Sequence, residues 1–113
     1  MRTYQLFRDD GSLFAFEVTS AWVSFRALFG ALRSVEGVAN IKRNYFNDDR
    51  VSFTYGGERW VVNEPFGDNS RYWIGPERGQ HSGLDAAPVH EAFRKLESLP
   101  QRLWRALGRP EGA

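Results

Sequence analysis

The sequence contains no cysteine. That excludes disulfides, thiolate catalysis and cysteine-based zinc or iron–sulfur sites. No run of about 18 apolar residues occurs, so no membrane-spanning helix is expected. The start, MRTYQLFRDDG, has none of the apolar region of a secretory signal. Together these absences predict a soluble, cytoplasmic protein. Lysine is scarce, with Lys42 and Lys95 the only two, and the formal net charge is only +1. There is no internal repeat, low-complexity tract or Gly/Ser linker to divide the chain.

What is present suits one domain. The 113 residues are 42% hydrophobic and 15% aromatic, enough to bury a single core largely through Phe, Trp and Tyr. The expected division is an α+β domain over residues 1–98 and a short C-terminal helix and tail over 99–113. The segment Val51–Glu77 stands out. It holds two of the four Trp, a strong hairpin signal, and a turn dense in Pro, Gly, Asp, Asn and Ser.

Thr3–Arg8 and Ser12–Val18 read as a hairpin with two competing registers. A two-residue Asp10-Gly11 turn sets Gln5 against Phe16. A three-residue loop Asp9-Asp10-Gly11 pairs Leu6 with Phe14 and Tyr4 with Phe16, with Gly11 left-handed. The second register gathers Tyr4, Leu6, Phe14, Phe16 and Val18 on one face and is the one expected. Thr19 or Ser20 then caps a helix to about Glu36, with Gly37 just past its end. Ala21, Trp22, Phe25, Leu28, Phe29 and Leu32 form its apolar stripe.

Asn40–Phe46 and Arg50–Tyr55 read as a second hairpin around Asn47-Asp48-Asp49. Pairing Tyr45 with Val51 puts Ile41, Tyr45, Val51, Phe53 and Tyr55 on one face, with Arg43 as the charged exception opposite Phe53. Gly56-Gly57 supplies a two-residue turn needing positive φ twice, which pairs Phe53 with Trp60 and Val51 with Val62. Pro65 ends that ladder. Arg71–Ile74 is expected as a short last strand beside Trp60–Val62. The stretch 75–86 is polar and Gly-rich, a length that marks either a functional or a mobile loop. Asp85 caps a second helix with the stripe Val89, Ala92, Phe93 and Leu96. A break near Ser98 precedes a last short helix over Leu99, Leu103, Ala106 and Leu107. The order ββα-ββββ-α predicts a two-layer α+β sandwich, a mostly antiparallel sheet of about six strands with helices on one face.

No catalytic motif appears. His81, Asp85 and His90 lack the spacing of a compact metal site, and no Gly-rich segment opens a helix in the manner of a phosphate loop. No cofactor is therefore expected. Arg94, Lys95, Arg102, Arg105 and Arg109 surround Trp104, but Glu91, Glu97 and Glu111 offset them, too thin a basic face for nucleic acid. The most informative cluster is Glu64, Phe66, Asp68, Asn69, Arg71, Tyr72, Trp73 and Glu77. Trp, Tyr and Arg dominate recognition hot spots, so this surface is the candidate site of a non-catalytic module binding another protein, as an adaptor or an immunity-type inhibitor. The alternative is a small-molecule carrier or small enzyme with a pocket between sheet and first helix, lined by Phe16, Phe25, Phe53 and Trp60. A homodimer through a sheet edge or the last helix is a third expectation.

Overall fold

The computed structural model describes residues 2–19, 25–45, 48–64 and 71–97. Its elements are β1 (Thr3–Phe7), β2 (Leu13–Thr19), α1 (Phe25–Arg33), β3 (Val38–Arg43), β4 (Asp49–Tyr55), β5 (Glu58–Asn63), β6 (Arg71–Pro76), a single 3-10 turn (Gly79–His81) and α2 (Ala87–Glu97). The six strands form one antiparallel sheet in the order β1-β2-β6-β5-β4-β3. This is the expected α+β architecture. The last strand is longer than expected and central, joining the first hairpin to the β3–β4–β5 meander.

Both helices contribute to one core. Leu28 and Leu32 of α1 and Val89 and Phe93 of α2 pack with Phe16, Val18, Val51, Phe53, Trp60, Val62 and Ile74, all essentially inaccessible to solvent. Ala15 and Val61 are buried too, but outside that core, because strand alternation sends them to the opposite face. Among the described residues that face carries no helix.

The Gly56-Gly57 turn forms as expected, with φ of 59° and 79°, and sets Phe53 opposite Trp60 and Val51 opposite Val62. The other two hairpins differ from their expected registers. In the first, the three-residue loop does form. Gly11 takes φ 87°, Arg8 N–H donates to Ser12 O at 2.8 Å, and Gly11 N–H donates to Arg8 O at 2.9 Å. The Asp10 carboxylate accepts the Ser12 N–H at 2.9 Å, and these bonds to Ser12 hold its pKa below the usual value. One step further the register shifts, because Phe7 faces Leu13 while Leu6 faces Ala15. Phe14 is the extra residue of a bulge, and beyond it Gln5 faces Phe16. The reason is parity. Leu13, Phe16 and Val18 are all core residues, and a regular strand would place Leu13 and Phe16 on opposite faces. Tyr4 and Leu6 consequently lie on the helix-free face with Ala15 and Glu17.

In the second hairpin, Arg43 faces Val51 and Val38 faces Tyr55, so the expected Tyr45–Val51 and Arg43–Phe53 pairs do not form. Further from the turn the ladder shifts by one more residue between Ala39 and Lys42, where Asn40 takes φ 54°, a conformation that Asn tolerates better than most residues. Asn44 closes the turn instead, its N–H donating to Arg50 O at 2.8 Å. Tyr45 is thereby released from the core and is 67% exposed.

Thr19 is the last residue of β2 rather than a helix cap, and Ser20, Ala21 and Trp22 lie outside the described residues. α1 ends at Arg33, earlier than expected. Tight turns follow, in which Val35 N–H donates to Leu32 O and Val38 N–H to Val35 O, before Gly37 reverses the chain at φ 91°. Asp85 caps α2 as expected, its carboxylate accepting the Ala87 N–H at 2.9 Å. The break at Ser98 and the last helix lie outside the described residues.

The connection after β6 is fastened by Arg8. Its guanidinium donates to the carbonyls of Gln80 at 3.3 Å, Leu84 at 2.9 Å and Ser82, and to Ser12 Oγ at 3.0 Å. Ser82 is buried and donates its hydroxyl to Glu58 at 2.7 Å. This segment is therefore laced to the ends of both flanking hairpins.

Candidate functional site

Five of the eight residues singled out from the sequence are described, and they do not all lie together. Phe66, Asp68 and Asn69 lie outside the described residues. The remaining five occupy three places, for a simple reason of strand geometry. Tyr72 points to the helix face, whereas Arg71 and Trp73 point to the other, and Glu77 lies past the far end of β6.

On the helix-free face, Arg71 lies 4.0 Å from the centroid of the Tyr4 ring and bonds Glu17 at 3.2 Å. Trp73 stands beside Glu17 and Asn63 and folds along its own strand over Gly75, where a β-carbon would come within 2.8 Å of the indole. Glu77 pairs with Arg59 at the opposite end of the sheet. The charges in both places are thus already satisfied within the chain. His81, Asp85 and His90 also separate. His90 is buried, bonded to Thr3 at 3.1 Å and edge-on to Phe16, while Asp85 serves α2. Among the described residues no group of three or more His, Asp or Glu is placed to hold a metal.

Glu64 and Tyr72 do meet, at the end of the sheet where α1 begins. With Phe25, Arg43, Asn44, Tyr45 and Arg50 they line an open cleft of about 230 Å³. Each residue is positioned by a distinct element. Phe25 opens α1, Arg43 ends β3, Arg50 lies on β4, Tyr72 on β6, and Glu64 follows β5 with its N–H donated to Asp48 O at 2.8 Å.

The electrostatics are uneven. Glu64 is only 8% exposed, and Arg50 Nε lies 3.5 Å from its carboxylate, so this carboxylate and this guanidinium offset one another. Tyr72 is buried, which pushes its hydroxyl pKa above the usual 10.0. Glu64 adds to that effect, and Arg50 and Arg43 oppose it. Arg43 has a different environment. Its guanidinium lies 3.9 Å from the Phe25 ring centroid and 5.1 Å from that of Tyr45. Among the described residues it has no carboxylate partner. Aromatic stacking orients the planar fork without consuming its N–H donors. Among the described residues the cleft therefore presents one oriented cation without a carboxylate partner, flanked by two aromatic rings and a phenol. Such a combination has the chemistry to receive a negative group, above all a carboxylate, which matches the guanidinium fork.

Sequence reasoning reached Glu64 and Tyr72 but missed Phe25, Arg43, Asn44, Tyr45 and Arg50. One signal was available, since Arg43 was the charged exception on an otherwise apolar strand face. The pocket expected between sheet and first helix would use Phe16, Phe53 and Trp60, yet these pack as core, with Phe53 and Trp60 ring centroids 6.0 Å apart. Of that set, Phe25 alone borders the cleft. Compared with protein-family models, with curated proteins and with solved structures, the chain matches none.

Proposed function

We propose that the chain is a non-catalytic binding domain that takes an acidic side chain of another protein into the cleft between the start of α1 and the ends of β3, β4 and β6. The observation that carries this reading is Arg43, held against Phe25 at 3.9 Å and bonded to no carboxylate among the described residues. Cleft size favours a side chain over a whole cofactor. Sites for small molecules generally enclose about 300–1,000 Å³ and are mainly apolar, whereas this one is smaller, open and lined by two Arg, a Glu, an Asn and two Tyr. Arg and Tyr are also the residues that dominate protein recognition. Glu64 retains a role from the original cluster, because it engages Arg50 and, among the described residues, leaves Arg43 without a carboxylate partner.

Affinity capture from native lysate tests the reading, using wild type, Arg43→Met and Arg43→Lys. Near-UV circular dichroism first establishes that the variants are folded. Wild type is expected to retain a protein that Arg43→Met loses and Arg43→Lys holds at least about tenfold more weakly, the loss of a hot-spot contact. Equal retention by all three, or retention of no protein by wild type, would contradict it.

A further inference from the structure

We infer that β1 is a docking edge for a second copy of this chain, the two β1 strands pairing antiparallel about a two-fold axis at Gln5. Some backbone groups at the ends of β1 are already used. Thr19 N–H donates to Arg2 O at 3.0 Å, and Arg8 N–H donates to Ser12 O at 2.8 Å. Residues at both ends of β1 with even numbers therefore point their backbone groups toward β2. The bulge lies in β2, at Phe14, so β1 itself alternates regularly. Thr3, Gln5 and Phe7 then direct their N–H and C=O groups away from the sheet. β1 is an edge of the sheet and pairs only with β2, so among the described residues no further strand receives these groups.

The two edges of the sheet contrast. β3 is broken by the irregularity at Asn40 and carries Lys42 and Arg43, devices that discourage edge pairing. β1 reads Thr-Tyr-Gln-Leu-Phe, with no charge, proline or glycine to blunt it. It also exposes Phe7 at 53%, one of two large hydrophobic residues so exposed among those described.

The chemistry of this edge selects a copy of itself. With the axis at Gln5, the two Gln5 residues form a hydrogen-bonded pair, and each Thr3 opposes Phe7 of the second copy. Two bonds per pair give roughly six backbone hydrogen bonds. Within β1 the pairing brings no like charges together; Arg2 of one copy comes opposite Arg8 of the other only beyond the strand ends, where the Arg8 guanidinium is turned to the carbonyls of Gln80, Ser82 and Leu84. Each exposed Phe7 would be covered by the second copy around Thr3, where the two Gln5 carboxamides also lie on one face within reach of each other. The interface is small, of the kind that dissociates readily, and it leaves the cleft open at the other end of the molecule's sheet order. This inference is independent of the proposed function.

Sedimentation velocity from about 10 µM to about 1 mM protein provides the test, with amide hydrogen exchange measured at both ends of that range. Wild type is expected to move from monomer to dimer, and exchange at Thr3, Gln5 and Phe7 to slow selectively as the dimer forms. Gln5→Pro deletes an outward N–H that serves no internal bond, and Gln5→Lys places two like charges at the axis. Both variants are expected to remain monomeric while keeping the wild-type circular dichroism spectrum. A wild type that stays monomeric throughout would overturn the inference. So would a dimer that persists in either folded variant, or a dimer in which those three amides exchange as fast as in the monomer.

Discussion

Adding one methyl group at Gly75 should destabilise the protein, and removing one from Ala15 should largely restore it. Gly75 lies in the central strand with an ordinary φ, so the effect is steric rather than conformational. A β-carbon there would fall 2.7 Å from Ala15 Cβ and 2.8 Å from the Trp73 ring, where carbon atoms prefer roughly 3.5–4.0 Å. Trp73 can rotate away in part. Ala15 Cβ cannot, because it is fixed to the backbone of the neighbouring strand, so β2 and β6 must separate. Overpacking of this kind costs about 1–3 kcal/mol, offset by about 0.5–1 kcal/mol because alanine loses less chain entropy than glycine. The net loss for Gly75→Ala is therefore about 1–2 kcal/mol. Ala15→Gly alone loses a buried methyl, about 0.8 kcal/mol, and adds glycine entropy, for a total of about 1.5 kcal/mol. The double variant only moves the methyl across the strand pair and should lie within about 1 kcal/mol of wild type. Urea denaturation of all four proteins closes the cycle, with each kcal/mol worth about 4 °C in a parallel melt. If Gly75→Ala is as stable as wild type, or if the double variant is the sum of the singles, this packing is wrong.

Arg8→Ala should cost about 2–3 kcal/mol in urea denaturation, since it strands carbonyls of Gln80, Ser82 and Leu84 that one guanidinium now serves. Arg8→Lys should recover little of this, as a single ammonium cannot span the fork, and a loss below about 0.5 kcal/mol in either variant would show that Arg8 does not fasten the connection. The raised pKa values of Tyr72 and Tyr55, both chiefly from burial, mean that the folded state holds these phenolic protons more tightly than the unfolded state. Their contribution is intact below pH 10 and is lost as pH rises through the folded values. Denaturation midpoints should thus fall above about pH 10, less steeply in Tyr72→Phe, and identical alkaline profiles would refute the burial of that hydroxyl.

The architecture was legible because independent local signals agreed. Gly56-Gly57 fixed one register through backbone conformation alone, and the stripes Leu28–Leu32 and Val89–Phe93 each specified one buried helix face. The first of the other two registers was hidden because a bulge breaks the period-two pattern from which register is read, and the second because Asn44 rather than Phe46 faces Arg50 across the turn. Phe14 and Asn40 each shift a ladder by one residue, and only the packed core shows which apolar residues need the shift. The same limit concealed the cleft. Glu64 and Tyr72 are near in sequence, but Phe25, Arg43 and Arg50 come from three other elements and converge only once the sheet and α1 are assembled. Loop composition drew attention to Arg71, Trp73 and Glu77, whose charges and rings the fold already pairs internally.

The most direct test of the account is a chemical-shift titration of ¹⁵N-labelled protein with an N-acetylated, glutamate-rich peptide, following the Arg43 side-chain Nε–H. This signal is expected to move together with the amides of Phe25 and Tyr45, the response to weaken as salt is raised, and the response to disappear in folded Arg43→Met. An Arg43 signal that stays fixed while other arginines respond, or a response unchanged in Arg43→Met, would contradict the claim that this cleft recognises an acidic side chain.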